Sequence, residues 1–107
     1  MNPNNVITTA ASSAALLHDL RHSIEYRDPK SLKPNPKNAR KHSKRQRAQI
    51  AASIREYGFI NPIITDSFGN VLAGHGRLEA ALEIGLDLVP SINLGHLTKE
   101  QIRAYAL

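Results

Sequence analysis

The apolar and polar positions of this chain change rhythm several times, and each change marks an element. "SIEYR" (23–27) alternates apolar and polar residues, the period of a half-buried strand. In "DPKSLKPNPKNARKH" (28–42), Pro29, Pro34 and Pro36 rule out a helix interior and make the stretch an extended connector. From Ser43 the spacing widens to three and four. Arg47, Ile50, Ala51, Ile54 and Tyr57 share one helical face, Ser43 and Gln46 have the spacing of a capping box, and Gly58 supplies a stop. Lys44, Arg45 and Arg55 lie off that stripe, where a partner can reach them.

"NPIITD" (61–66) then reads as a buried strand, "SFGN" (67–70) as a tight turn and "VLAG" (71–74) as the return strand. A helix from about Gly76 to Ile84 turns Leu78, Ala81 and Leu82 inward and ends at Gly85. "LVPSINL" (88–94) is a further strand, in which Pro90 argues for an edge position or an irregular start. Thr98 and Gln101 repeat the capping-box spacing and open a last helix, "KEQIRAYAL", with no stop signal before Leu107, as in a truncated helix. Residues 1–21, rich in Asn, Thr, Ser and Ala, show no amphipathic period and read as a flexible leader with a short helix around Ala14–Leu20. That leaves 22–107 as one domain. The order strand, helix, strand, strand, helix, strand, helix predicts an α+β fold, a small mixed β-sheet with packed helices.

Composition narrows the chemistry. A chain of 107 residues with five aromatic side chains builds one small core. It has no cysteine, which excludes disulfides, thiolate metal sites and cysteine nucleophiles. No apolar run approaches the ~20 residues that span a bilayer, and the N-terminus lacks the pattern of a signal peptide, so the expected compartment is the cytoplasm. Ten of the fourteen Lys and Arg residues fall between Arg27 and Arg55, against the single acid Asp28. Such a segment attracts polyanions, although a solvated basic surface has the same composition. Within it, Lys37, Arg40, Lys41, Lys44, Arg45 and Arg47 are the candidates for DNA, through backbone phosphates and so without sequence choice.

"VLAGHGRLEAA" (71–81) places Gly-His-Gly-Arg at a strand–helix junction. The first helical N–H groups there have no intrahelical acceptors and the helix dipole adds positive potential, so the junction suits an anion. Gly74 and Gly76 allow close approach, Arg77 sits where a cation opposes the dipole unless an anion is beside it, and His75 offers another donor. The alternative is a plain turn, with His75 on the surface and Arg77 paired to Glu79 or Asp87. The pattern is neither a Walker A loop nor a dinucleotide fingerprint.

Three stretches in order, "SLKPNPKNAR", "SIREYGFINPIIT" and "AGHGRLEAALEIG", resemble the ParB-like N-terminal domain of the ParB/sulfiredoxin superfamily. The similarity covers about residues 24–107. The resemblance implies that Gly74, His75, Gly76 and Arg77 hold nucleotide phosphates, with Gly58, Asn61 and Pro62 nearby. It implies CTP or ATP as the nucleotide, with Mg as a possible companion. His75 and Gly76 stand where ParB proteins have Glu and Arg, and sulfiredoxin's reactive cysteine falls at His75, which excludes that activity. The Gly-His-Gly-Arg variant looks like the ParB-like domains fused to DNA methyltransferases. The function implied is a nucleotide-binding, DNA-associated module that regulates or targets a DNA methyltransferase or partition system. Its partners would be DNA and a C-terminal methyltransferase or DNA-reading domain. The alternative is an enzyme on the same fold: an ATP-dependent phosphotransferase, a nucleotidase or a nuclease.

Two further groupings carry less. His42, His75 and His96 match no metal-ligand spacing, so no metal site is expected. Glu79 and Glu83, four residues apart, read as a solvated outer face rather than an acid–base pair.

Overall fold

The computed structural model describes residues 24–35 and 42–106. Lys37, Arg40 and Lys41, the leader 1–21 and its short helix lie outside the described residues. The alternating segment forms β1 (Ile24–Arg27), followed by a 3-10 turn at Pro29–Ser31. Then come α1 (Lys44–Tyr57), β2 (Ile63–Thr65), β3 (Val71–Ala73), α2 (His75–Ile84), β4 (Val89–Asn93) and α3 (Lys99–Ala106).

The sheet order is β1-β4-β2-β3, with β4 parallel to β2 and the outer pairs antiparallel. This is the expected α+β class. β4 is an interior strand, so an edge position for Pro90 is corrected. Pro90 pairs with Tyr26 of β1, and the β2 ladder begins one residue later at Ser91 opposite Ile63. The missing N–H falls where the strand has not yet gained its second neighbour, which is how an interior strand accommodates the proline, and the register with β1 runs through it without a shift.

One face of the sheet meets α2. Leu32, Ile63, Val71, Leu78, Ala81 and Val89 form the core between them. The connector contributes more than length. Its Leu32 is buried, and Lys33 N donates to Gly69 O (2.8 Å) while Lys33 O accepts from Val71 N (2.9 Å), so it pairs along the free edge of β3. Asp66 ties the β2–β3 turn, its Oδ1 accepting from the backbone N of Phe68 and Asn70 (2.9 Å each).

α1 and α2 run antiparallel. Gly76 near the start of α2 lies against Ile50, and Glu83 near its end reaches Arg47. α2 therefore buries two faces, Leu78 and Ala81 toward the sheet and Gly76 and Ala80 toward α1. Leu82 falls on the shoulder between them and is 44% exposed, which corrects the inward assignment. Tyr57 is likewise 66% exposed, because α1 runs on past the point where α2 begins. Both capping boxes form: Ser43 Oγ accepts from Gln46 N (3.1 Å), and Thr98 Oγ1 from Gln101 N (3.1 Å).

Candidate functional site

The antiparallel pairing brings the C-terminal end of α1 beside the N-terminal end of α2, and the chain between α1 and β2 closes the third side. A cleft of about 650 Å³ opens there, within the size range of small-ligand sites. Of the residues expected from the sequence, Gly58, Asn61, Gly74, His75, Gly76 and Arg77 line it. Pro62 stands behind the lining and offers its carbonyl oxygen to Arg77 Nη2 at 3.0 Å.

Gly74 is the N-cap of α2, in the left-handed region at φ 98°, ψ 25°, and no side chain caps the helix. The first backbone bond of α2 runs from Leu78 N to Gly74 O (2.9 Å). The N–H groups of His75, Gly76 and Arg77 thus lack intrahelical acceptors, on the side where the dipole is positive. Gly76 is needed for close approach: a Cβ there would come within 2.9 Å of both His42 Nε2 and Ile50 Cδ1.

Arg77 folds back over the turn, its Nη2 2.9 Å from where a Cβ on Gly74 would stand. Burial pushes its pKa down, and the nearby Tyr105 acts in the opposite direction. Among the described residues no carboxylate pairs with it, so the expected alternative of a partnership with Glu79 or Asp87 is not formed. Arg77 Nε is buried without a hydrogen-bond partner among them.

Glu79 faces His42 instead, with Oε2 3.6 Å from Nδ1, and Glu83 Oε1 accepts from Arg47 Nε at 2.7 Å. Glu79 is therefore half-buried against the segment ahead of α1, a correction to the solvated outer face, whereas Glu83 stays exposed beside Arg47. Arg47 also donates from Nη1 to His42 O at 2.6 Å. That guanidinium joins the helices and is not presented to a partner, whereas Lys44 and Arg45 are exposed on the first turn of α1. Among the described residues no three His, Asp or Glu side chains converge as metal ligands, and no helix is long and apolar enough to cross a membrane.

The structure also assigns to the cleft residues that the sequence analysis placed elsewhere or passed over. Ile50, Ile54, Phe59 and Ile60 give it an apolar wall, and Gln46, Gln49 and Ser53 add a polar row along α1. The i, i+4 spacing of Gln49 and Ser53 was visible, but which face of α1 meets the cleft depends on where α2 packs.

Comparison with known proteins places this arrangement. The model of the ParB N-terminal domain matches residues 10–107. The ParB-like nuclease domain-containing protein YnaK of Escherichia coli K12 is 46% identical over 78 residues, which are 73% of this chain and 90% of that protein. A C-terminally truncated chromosome-partitioning protein ParB from Caulobacter crescentus, complexed with CTP-gamma-S, superposes with a TM-score of 0.66. It is 24% identical, and the match covers 78% of this chain and 49% of that one, so the present chain spans about half the length of that ParB. Sulfiredoxin from Arabidopsis thaliana superposes at 0.64 with 21% identity, over 78% of this chain and 97% of that one. The fold is thus shared, at low identity, with these solved structures, while the sequence match runs along most of the chain. On both grounds the chain belongs to the ParB N-terminal domain family and has the ParB/sulfiredoxin fold.

Proposed function

We propose that this domain binds a nucleoside triphosphate, CTP or ATP, with its phosphates at the start of α2, and that occupancy biases a DNA-directed activity. The observation that carries this is Arg77: a half-buried cation with no carboxylate among the described residues, beside three backbone N–H groups without intrahelical acceptors. An anion beside it would offset both its desolvation and its unfavourable place on the helix dipole. The complex of the Caulobacter ParB with CTP-gamma-S supports the choice of ligand class. In this reading Gly74, His75, Gly76 and Arg77 face the phosphates, Gly58, Asn61 and Pro62 border the nucleoside, and the apolar wall of α1 carries its flat surface. Any Mg²⁺ would be bound to phosphate oxygens, since the described residues supply no ligand set of their own.

DNA would be met by the basic segment through phosphates, with Lys44 and Arg45 exposed for it and Lys37, Arg40 and Lys41 in the same stretch of sequence. A methyltransferase or partition machinery in a longer parent protein is the activity such a module would direct.

Amide NMR titration with CTP, ATP and GTP tests the reading. Saturable shifts confined to Gly58–Pro62 and Gly74–Leu78 are expected, with Arg77→Ala weakening binding by roughly 10- to 150-fold, the equivalent of about 1.5–3 kcal/mol for a charged hydrogen bond. An unperturbed spectrum at millimolar nucleotide would refute it. Release of phosphate would move the domain to the nucleotidase or phosphotransferase class. Reversing the charge of Lys44 and Arg45 should weaken duplex DNA binding and flatten its salt dependence.

A further inference from the structure

Two imidazoles flank the first turn of α2. His75 is its first residue and lines the cleft. His42 comes from the segment ahead of α1 and lays its ring over Gly76, where Arg47 Nη1 holds its backbone by a 2.6 Å hydrogen bond to His42 O. His42 Nδ1 faces Glu79 Oε2 at 3.6 Å, beyond hydrogen-bond length. Neither of those atoms nor His75 Nε2 has a hydrogen-bond partner among the described residues, although all three are buried.

We propose that His42 and His75 are proton-dependent ligands of the phosphate chain, so that filling the cleft takes up protons and affinity falls as pH rises through neutrality. This rests on the nucleotide reading above and adds His42 to the site.

The argument is electrostatic. A neutral imidazole offers one donor, whereas an imidazolium offers two donors and a charge, and histidine is the side chain whose ordinary titration falls between pH 5 and 8. In the free cleft the groups acting on the rings are Glu79, one turn on from His75, and the other imidazole; the Arg47–Glu83 pair adjoins His42, and the Arg77 guanidinium lies toward Gly74, Pro62 O and Tyr105. For His75, burial lowers the pKa, Glu79 opposes that and His42 adds to it, with a net value below the ordinary one. A triphosphate brings several negative charges into the same turn. That favours the charged form of an imidazole beside it and offsets the repulsion between the two rings. Each proton taken up on binding gives at most a tenfold loss of affinity per unit rise in pH.

The test is calorimetric titration of the full chain with CTP and with ATP at pH 6 and pH 8, in buffers of different ionisation enthalpy, for wild type, His42→Asn, His75→Asn and the double variant. The terminal phosphate titrates in the same window and contributes equally to every variant. The histidine contribution is therefore the difference from wild type. Wild type should weaken at least tenfold more than the double variant between the two pH values and take up more protons. NMR should show the His75 imidazole titrating higher with nucleotide bound. An identical pH slope and proton count in the double variant would overturn the proposal while leaving the nucleotide reading intact, provided Arg77→Ala still weakens binding as expected above. Absence of any nucleotide binding at pH 6 would overturn both. The amide spectra of the variants establish that they remain folded.

Discussion

Replacing Gly74 by alanine separates what the α2 turn owes to backbone conformation from what it owes to Arg77. Gly74 and Gly85 both sit in the left-handed region, at φ 98° and φ 82°, and an L side chain there costs about 1–2 kcal/mol. Their surroundings differ. A Cβ on Gly85 would meet nothing within 4 Å, whereas one on Gly74 would meet the Arg77 guanidinium, with Nη2 at 2.9 Å and Cζ at 3.3 Å. Gly85→Ala should therefore cost only the conformational amount. Gly74→Ala should cost that plus about 1 kcal/mol for displacing the flexible Arg77 guanidinium from Pro62 O. In a small domain each kcal/mol lowers Tm by about 4–8 °C, and urea denaturation gives the free energies directly. In an Arg77→Ala background the extra cost of Gly74→Ala should disappear, because the clashing atoms are gone. Equal costs for the two glycines in the wild-type background, or an excess that survives Arg77→Ala, would refute the assignment of Arg77 to this turn.

Other expectations can be checked on the same material. Arg47→Ala should destabilise by about 0.5–1 kcal/mol, since its pair with Glu83 is half-exposed, and a double-mutant cycle with Glu83→Ala should recover most of that coupling. The same variant should leave the salt slope of DNA binding nearly unchanged, in contrast to Lys44 and Arg45. Ile63→Ala, fully buried at the centre of the core, should cost about 2–5 kcal/mol in urea unfolding. The Asp66 carboxyl is held below its ordinary value: partial burial raises its pKa, but the hydrogen bonds from Asn70 and Phe68 and the charge of Lys33 together outweigh burial. The unfolded chain then binds the proton first on acidification, so this contribution is full above about pH 4 and is lost as pH falls through the lower folded value. An acid titration of stability should show a shallower loss in Asp66→Asn. His75 is also lowered in the folded domain, so without nucleotide its contribution to stability is complete above about pH 6.5 and declines on acidification. His75→Asn should remove that step.

The local signals of this chain decided its elements. Ser43 with Gln46 and Thr98 with Gln101 specify helix starts through contacts three residues apart, and Gly58 and Gly85 mark the helix ends. These depend on nearby backbone groups alone, so a sequence contains everything needed to read them. The glycine turn that opens α2 at Gly74 was legible for the same reason. Its opposing wall was not. Ile50 and Ile54 look like ordinary core positions until α2 packs antiparallel to α1 and begins short of Tyr57, which leaves a cleft beside them. Arg47 looked like one more cation in a basic run, and only the approach of Glu83, thirty-six residues away, takes it out of that surface. Pro90 could not reveal an interior strand, because its missing N–H matters only relative to where β2 begins to pair. His42 belongs with His75 and Glu79 solely through the fold. Sequence determined the local hydrogen bonds, the charge and the turn chemistry; tertiary packing decided which charges are neutralised and which faces border the cleft, because those outcomes depend on distances between segments that no local pattern encodes.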